Sequence, residues 1–228
     1  MDFEIFYKDF LSISKPYSHQ EQVWKIFENW KKLNFPLLVK APTGSGKTEA
    51  IIAPFLNQFL ENNFFITPRL IYVLPMRVLA DSIAKRIEGY AKKVSPYISV
   101  QIQHGDTPNS PFFIDDIIVT TLDQFLYGFA RASLQVGKHI DVPAGAIASS
   151  LVVFDEAHMY RDEFTFAIMR ALMEILHKSN IPFVVMTATM PKSLEDSLFE
   201  NIRLDGNRKI LGNINLNSSL EISLYKEP

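Results

Sequence analysis

Six short apolar runs punctuate the chain: LLVKA (37–41), RLIYVLP (69–75), ISVQIQ (98–103), DIIVTT (116–121), SLVVFDE (150–156) and PFVVMTA (182–188). Most are continuous rather than alternating, the pattern of strands covered on both faces. Stretches with helical spacing lie between them, at about 47–60, 76–91, 122–134, 162–178 and 191–200. This alternation predicts an α/β doubly wound domain, with a mostly parallel sheet and helices on both faces. Pro54 falls inside the first of these helices and is expected to bend it. Two amphipathic helices come before the first run. Residues 1–14 place Phe3, Phe6, Phe10 and Leu11 on one face; residues 18–33 take Ser18 as N-cap and bury Val23, Ile26, Phe27 and Trp30. Residues 135–149 read as a long loop with a helical turn, and the polar tail from 201 ends in a strand candidate, LEISLYK.

Composition narrows the class. The 228 residues are 47% hydrophobic and 12% aromatic, enough for a core that needs no staple. A net charge of −2 excludes a polybasic nucleic-acid binder, but not a groove with a few placed donors. The absence of cysteine removes disulfides, thiol catalysis and Cys-ligated zinc. No run of about 18 uncharged apolar residues occurs, and acids stand where a secretory leader would carry lysines. The expectation is a cytoplasmic protein with no membrane partner.

The chemistry concentrates at run ends. Ala41 to Thr48 reads APTGSGKT, a phosphate loop in which alanine replaces the first glycine. Gly44 and Gly46 permit the backbone angles that turn amides inward, and the helix that follows offers its N-terminus to an anion. Lys47 supplies charge for outer phosphates and Thr48 a hydroxyl for Mg²⁺. A glycine-rich turn carrying a lysine by chance would not need this strand-to-helix position. LVVFDEAH (151–158) ends an apolar run in two carboxylates. In an open α/β sheet, ligands bind beyond the carboxyl ends of strands. Asp155 would then face Thr48 and share the metal, and Glu156 could deprotonate a water attacking the γ-phosphate.

APTGSGKT followed by DEAH resembles the superfamily 2 helicases and translocases, whose motors are RecA-like P-loop NTPase domains. The resemblance implies ATP and Mg²⁺ as cofactors, held by Thr43, Gly44, Ser45, Gly46, Lys47, Thr48 and Glu49, with Thr48 and Asp155 toward the metal. Lys47, Asp155, Glu156 and His158 are the implied catalytic set. Thr187-Ala188-Thr189 matches the motif that couples the nucleotide site to strand binding. Gln20 matches the adenine-reading glutamine, with Gln22 a weaker match and Tyr17 a candidate to stack on the base. On this reading 1–34 is a helical segment carrying that glutamine, 35–205 the first RecA-like domain, and 206–228 an edge strand or linker.

LPMRVLA (74–80) is similar to the family's strand-contacting motif Ia, which implies a phosphodiester contact for Pro75 and Arg77. Arg77 could equally be an ion-pair partner. Thr120 and Thr121 match motif Ib, and His104 sits at a strand end on the same edge. Lys85, Arg86, Lys92 and Lys93 read as a solvated helix face. PTGSGKTEA, the HGD turn, VTTLDQFL and FDEAHMY together are most similar to the CRISPR-associated helicase–nuclease of type I systems. That implies single-stranded DNA as partner, with a surveillance complex. The paired His-Asp ligands of that family's HD nuclease are missing among the five histidines, so a nuclease would be separate. The arginine-rich motif of a second RecA-like domain is missing too, which leads us to expect weak turnover until such a domain is supplied. A non-hydrolysing clamp or partner-recruiting module, and another superfamily 2 motor such as an RNA helicase or restriction translocase, remain alternatives.

Overall fold

The computed structural model describes residues 1–30, 35–160, 162–204 and 206–212. Two helices open the chain, α1 (Phe3–Leu11) and α2 (Ser18–Glu28). There follow β1 (Leu37–Lys40), α3 (Lys47–Leu60), β2 (Arg69–Leu74), α4 (Arg77–Val94), β3 (Val100–His104) and β4 (Thr107–Pro108). The second half comprises β5 (Ile117–Thr121), α5 (Leu122–Phe129), α6 (Asp141–Ala148), β6 (Ser150–Phe154), α7 (Glu163–Lys178), β7 (Phe183–Thr187), α8 (Lys192–Leu198) and β8 (Lys209–Leu211). All six apolar runs are strands, in one eight-stranded sheet ordered β4-β3-β5-β2-β6-β7-β1-β8. Every pairing is parallel except that of the short β4 with β3.

The strands are continuous in sequence because each feeds two cores. Val39, Tyr72, Val119, Val153 and Met186 point to the face covered by α1–α4. Their neighbours Leu38, Ile71, Val73, Ile118, Val152 and Val185 point to the face covered by α5–α8. The first core includes Phe6, Tyr7, Leu11, Val23, Trp24 and Phe27, so the N-terminal helices share the sheet's apolar cluster. Each fully buried side chain of this size contributes about 1.5–3 kcal/mol.

Parallel registry brings the functional strand ends to one edge. Lys40 of β1 is level with Thr187 of β7, Val73 of β2 with Phe154 of β6, Leu74 with Thr121 of β5, and Gln103 of β3 with Thr120. The end of β1 is clamped further. Lys40 Nζ donates to Glu195 Oε2 at 2.9 Å and to Met190 O at 3.1 Å, and Lys209 Nζ donates to Glu195 Oε1 at 2.6 Å. Burial pushes the Glu195 carboxyl upward, but the hydrogen bonds from Lys209 and Lys40 outweigh it and hold the group below its ordinary range.

Several details differ from the expectation. The cap of α2 is Tyr17, not Ser18, and Gln20 Oε1 accepts its backbone N–H at 2.8 Å. The loop at 135–149 holds a full helix, α6, whose Ala- and Gly-rich sequence carries too little periodicity to reveal it. The helix expected at 122–134 ends at Phe129. The two-residue β4 was not anticipated, being too short to carry an alternating pattern. α3 runs through Pro54 unbroken. β8 lies at the sheet edge beside β1, whereas LEISLYK falls outside the described residues. Among the described residues no helix is long and apolar enough to cross a membrane.

Candidate functional site

The loop between β1 and α3 is built on two left-handed glycines, Gly44 (φ +76°) and Gly46 (φ +74°). A side chain at Gly46 would be strained by its backbone and would also meet Gln20 Nε2 at 2.3 Å. Gln20 is there because its amide donates to Gly46 O at 3.0 Å while its carbonyl caps α2. One side chain thus ties the N-terminal helices to the loop. Tyr7 adds a second tie, donating to Glu49 O at 3.1 Å.

Lys47 is buried and donates to Ala41 O at 3.0 Å and Pro42 O at 3.2 Å, which holds its ammonium inside the loop's own curve. Thr48, one residue on, faces the end of β6. Its hydroxyl lies 3.1 Å from Tyr72 OH, which donates to Asp155 Oδ2 at 2.5 Å. Asp155 Oδ1 accepts the Glu156 N–H at 2.8 Å. Burial raises the Asp155 carboxyl above its ordinary pKa, and the Tyr72 hydrogen bond works against that. Tyr72 itself is driven well upward by burial and then by the charge of Asp155, so it remains a donor.

Glu156 has φ +51°, a left-handed conformation that is uncommon for a residue with a side chain and costs energy. The turn aims its carboxylate back across the edge. Oε2 lies 3.2 Å from His158 Nδ1, within ion-pair range but without hydrogen-bond alignment. His158 Nδ1 is also 3.3 Å from Thr187 Oγ1, whose own proton goes to Thr189 O at 3.0 Å. That leaves Nδ1–H as the donor toward Thr187. The acidic strand end and the Thr-Ala-Thr segment are thereby in contact through one imidazole.

These groups surround a cavity of about 640 Å³ lined by Tyr17, Gln20, Thr43, Lys47, Thr48 and Asp155, with Ser12 to Lys15 as its N-terminal wall. Gly44, Gly46, Glu49 and Glu156 line it as well. Ser45 is buried behind it. The oxygen donors of Thr48 and Asp155, fixed by Tyr72, suit a hard cation that keeps waters and phosphate ligands. Among the described residues no cluster of three His, Asp or Glu could hold a metal alone.

Two residues of this site escaped the sequence reading. Tyr72 looked like one more apolar strand residue. Arg86 was assigned to a solvated helix face, yet its Nη2 donates to Thr48 Oγ1 at 2.6 Å and its Nε lies 3.4 Å from Glu49 Oε1. Glu49 Oε1 also accepts from Tyr90 OH at 3.0 Å. The pattern had no way to show this. Arg86 belongs to the polar face of α4, and only the packing of α4 beside α3 turns that edge inward. Lys92 does pair along the helix surface, with Glu88 at 2.5 Å.

The other end of the edge is arranged differently. Arg77 is half-exposed and pairs with Asp106 Oδ2 at 2.8 Å. A Cβ at Gly105 would stand 2.9 Å from the Arg77 guanidinium, a contact that the half-exposed side chain can relieve by shifting. His104 is buried, donating from Nε2 to Asp81 Oδ1 at 3.1 Å and accepting the Asp106 N–H at Nδ1, 3.3 Å away. Thr120 is fully buried with its hydroxyl donating to Gln103 O at 2.7 Å, and Thr121 is buried beside it. Pro75 is half-buried where β2 gives way to α4.

Comparison with known proteins agrees with this geometry. A family model described as DEAD/DEAH box helicase matches residues 17–197. The CRISPR-associated helicase Cas3 of Thermoproteus tenax is 33% identical over 206 residues, covering 83% of this chain and 35% of that protein. The CRISPR-associated endonuclease/helicase Cas3 of Thermus thermophilus is 29% identical, covering 82% of this chain and 23% of that protein. The crystal structure of T. fusca Cas3 with AMPPNP superposes with a TM-score of 0.66 at 24% identity, over 85% of this chain and 23% of that one. The chain therefore spans about a third or less of these relatives. Its sheet and helices are the RecA-like fold, and the chain belongs to the DEAD/DEAH box helicase family.

Proposed function

We propose that this chain is the first motor domain of an ATP-driven translocase that acts on single-stranded nucleic acid, with DNA favoured, in CRISPR interference. The observation that carries the reading is the convergence of Lys47 and Thr48, at the start of α3, with Asp155 and Glu156, in the turn after β6, on one cavity. In this reading the loop amides and Lys47 bind the triphosphate, and Thr48 and Asp155 hold Mg²⁺. The metal, when bound, neutralises charge that develops on the phosphates. Glu156 orients and deprotonates a water, while His158 passes the state of the site to Thr187 and Thr189. Gln20 and Tyr17 form the base end.

The cavity is open on one side, and its described cations are Lys15, Lys47 and Arg86. We infer that a second RecA-like domain, in the same polypeptide or another, supplies an arginine there. Such an arginine is worth roughly 10³–10⁵ in rate. The DNA preference and the link to a CRISPR surveillance complex, with its nuclease elsewhere, rest on the likeness to Cas3 relatives. The test is ATP turnover by this chain combined with a second RecA-like domain, stimulated by single-stranded DNA or RNA of one sequence. Stimulation by DNA alone is expected. Equal stimulation by RNA would favour a different superfamily 2 motor, and stimulation by neither would favour a clamp.

A further inference from the structure

The α4 wall of the cavity brings a cation to an oxygen that the nucleotide site also needs. Tyr72 OH spends its single proton on Asp155, 2.5 Å away. The Thr48 hydroxyl, 3.1 Å from the same phenol, must therefore give its own proton to Tyr72 and use a lone pair to accept Arg86 Nη2 at 2.6 Å. A hydroxyl has two lone pairs, so Arg86 leaves one. A magnesium ion sits about 2.1 Å from its oxygen ligands. On the remaining lone pair it would stand about 4 Å from the guanidinium, a distance at which like charges repel strongly in a partly buried site.

We propose that Arg86 competes with Mg²⁺ for the Thr48 hydroxyl, so that metal-loaded nucleotide is bound only as the guanidinium withdraws onto Glu49. The landing place is already built. Glu49 is 7% exposed, its Oε1 lies 3.4 Å from Arg86 Nε, and Tyr90 fixes that same oxygen with a hydrogen bond of 3.0 Å. Arg86 itself is 44% exposed, which leaves it room to move. Arg86 is thus a specificity residue that sets how far nucleotide binding depends on the metal. This inference rests on the nucleotide-site reading.

The test is the dissociation constant of a fluorescent ADP analogue for the full chain, measured in Mg²⁺ and in EDTA. Wild type is compared with Arg86→Met, which keeps the aliphatic stem, and with Arg86→Lys, which keeps the charge but not the fork. The ratio of the EDTA value to the Mg²⁺ value should rise about tenfold in Arg86→Met, within the span of ordinary site coupling, and less in Arg86→Lys. Equal weakening of Arg86→Met in both buffers would overturn the proposal and make Arg86 a direct phosphate contact. An unchanged ratio would overturn it and leave a structural ion pair. Wild type that binds nucleotide in neither buffer would overturn the nucleotide-site reading instead. If Arg86→Met does not fold, Arg86→Lys decides: a raised ratio supports competition and an unchanged one overturns it.

Discussion

Two stretches of one sheet edge behave in opposite ways. Where β1, β2 and β6 end, Lys47, Thr48, Asp155 and Glu156 reach into a shared space from different elements. Where β3 and β5 end and α4 begins, His104, Thr120 and Arg77 have turned onto their neighbours Asp81, Gln103 and Asp106. Parallel topology aims both groups the same way, so the difference between them lies in how they are paired. The side chains of the first region are paired as well, Lys47 with Ala41 O and Pro42 O and Asp155 with Tyr72, but they still line one cavity. The second must give up internal contacts before it can hold a strand, and only Arg77, in an exposed pair, can do so cheaply.

The contrast can be broken most sharply at Glu156. Glu156→Gln, in the chain completed by a second RecA-like domain, should cut ATP turnover by about 10²–10⁴. Equilibrium binding of ATP should be unchanged. Turnover at the wild-type rate would remove Glu156 from the role of base. Next in size is Lys47→Ala, which removes the buried ammonium that the loop curls around. ATP affinity, read by calorimetry, should fall about 10- to 100-fold, the worth of a charge-assisted hydrogen bond. Unaltered affinity would mean that the triphosphate lies elsewhere.

Tyr72→Phe probes the support beneath the first region. Removing the phenol leaves Asp155 Oδ2 without its 2.5 Å donor in a buried position. Thermal unfolding should show a loss of about 1–3 kcal/mol, equivalent to several degrees in Tm for a chain of this size. No change in Tm would show that the hydrogen bond contributes nothing net. The smallest effect belongs to the second region. Asp106→Asn should leave stability within about 1 kcal/mol, since its pair is exposed. It should also free Arg77 and tighten single-stranded DNA binding a few-fold. Arg77→Ala should weaken binding and reduce the salt slope by about one. A tighter complex for Arg77→Ala would contradict its assignment to the strand.

The same contrast explains what could be read from the chain. The parallel sheet was legible because strands buried on both faces must be apolar throughout, as Val152 to Phe154 and Phe183 to Met186 are. The phosphate loop and the acidic strand end were legible because their chemistry demands particular residues at fixed spacing. Tyr72 was hidden because a buried hydroxyl among valines and leucines looks like any large strand residue until its partner is known. Arg86 was hidden because the direction of a polar helix face depends on what packs beside it. His104 and Thr120 show the converse. Residue types suited to phosphate stood at the right strand ends, but a neighbouring carboxylate or carbonyl claimed each one first.

The most direct test of the account is a crystal structure of this chain with magnesium and a non-hydrolysable ATP analogue. The prediction is a triphosphate cradled by residues 43–48, with the Lys47 ammonium on its outer phosphates and the metal between Thr48 and Asp155. An analogue bound away from the loop, or a metal that touches neither of those side chains, would contradict it.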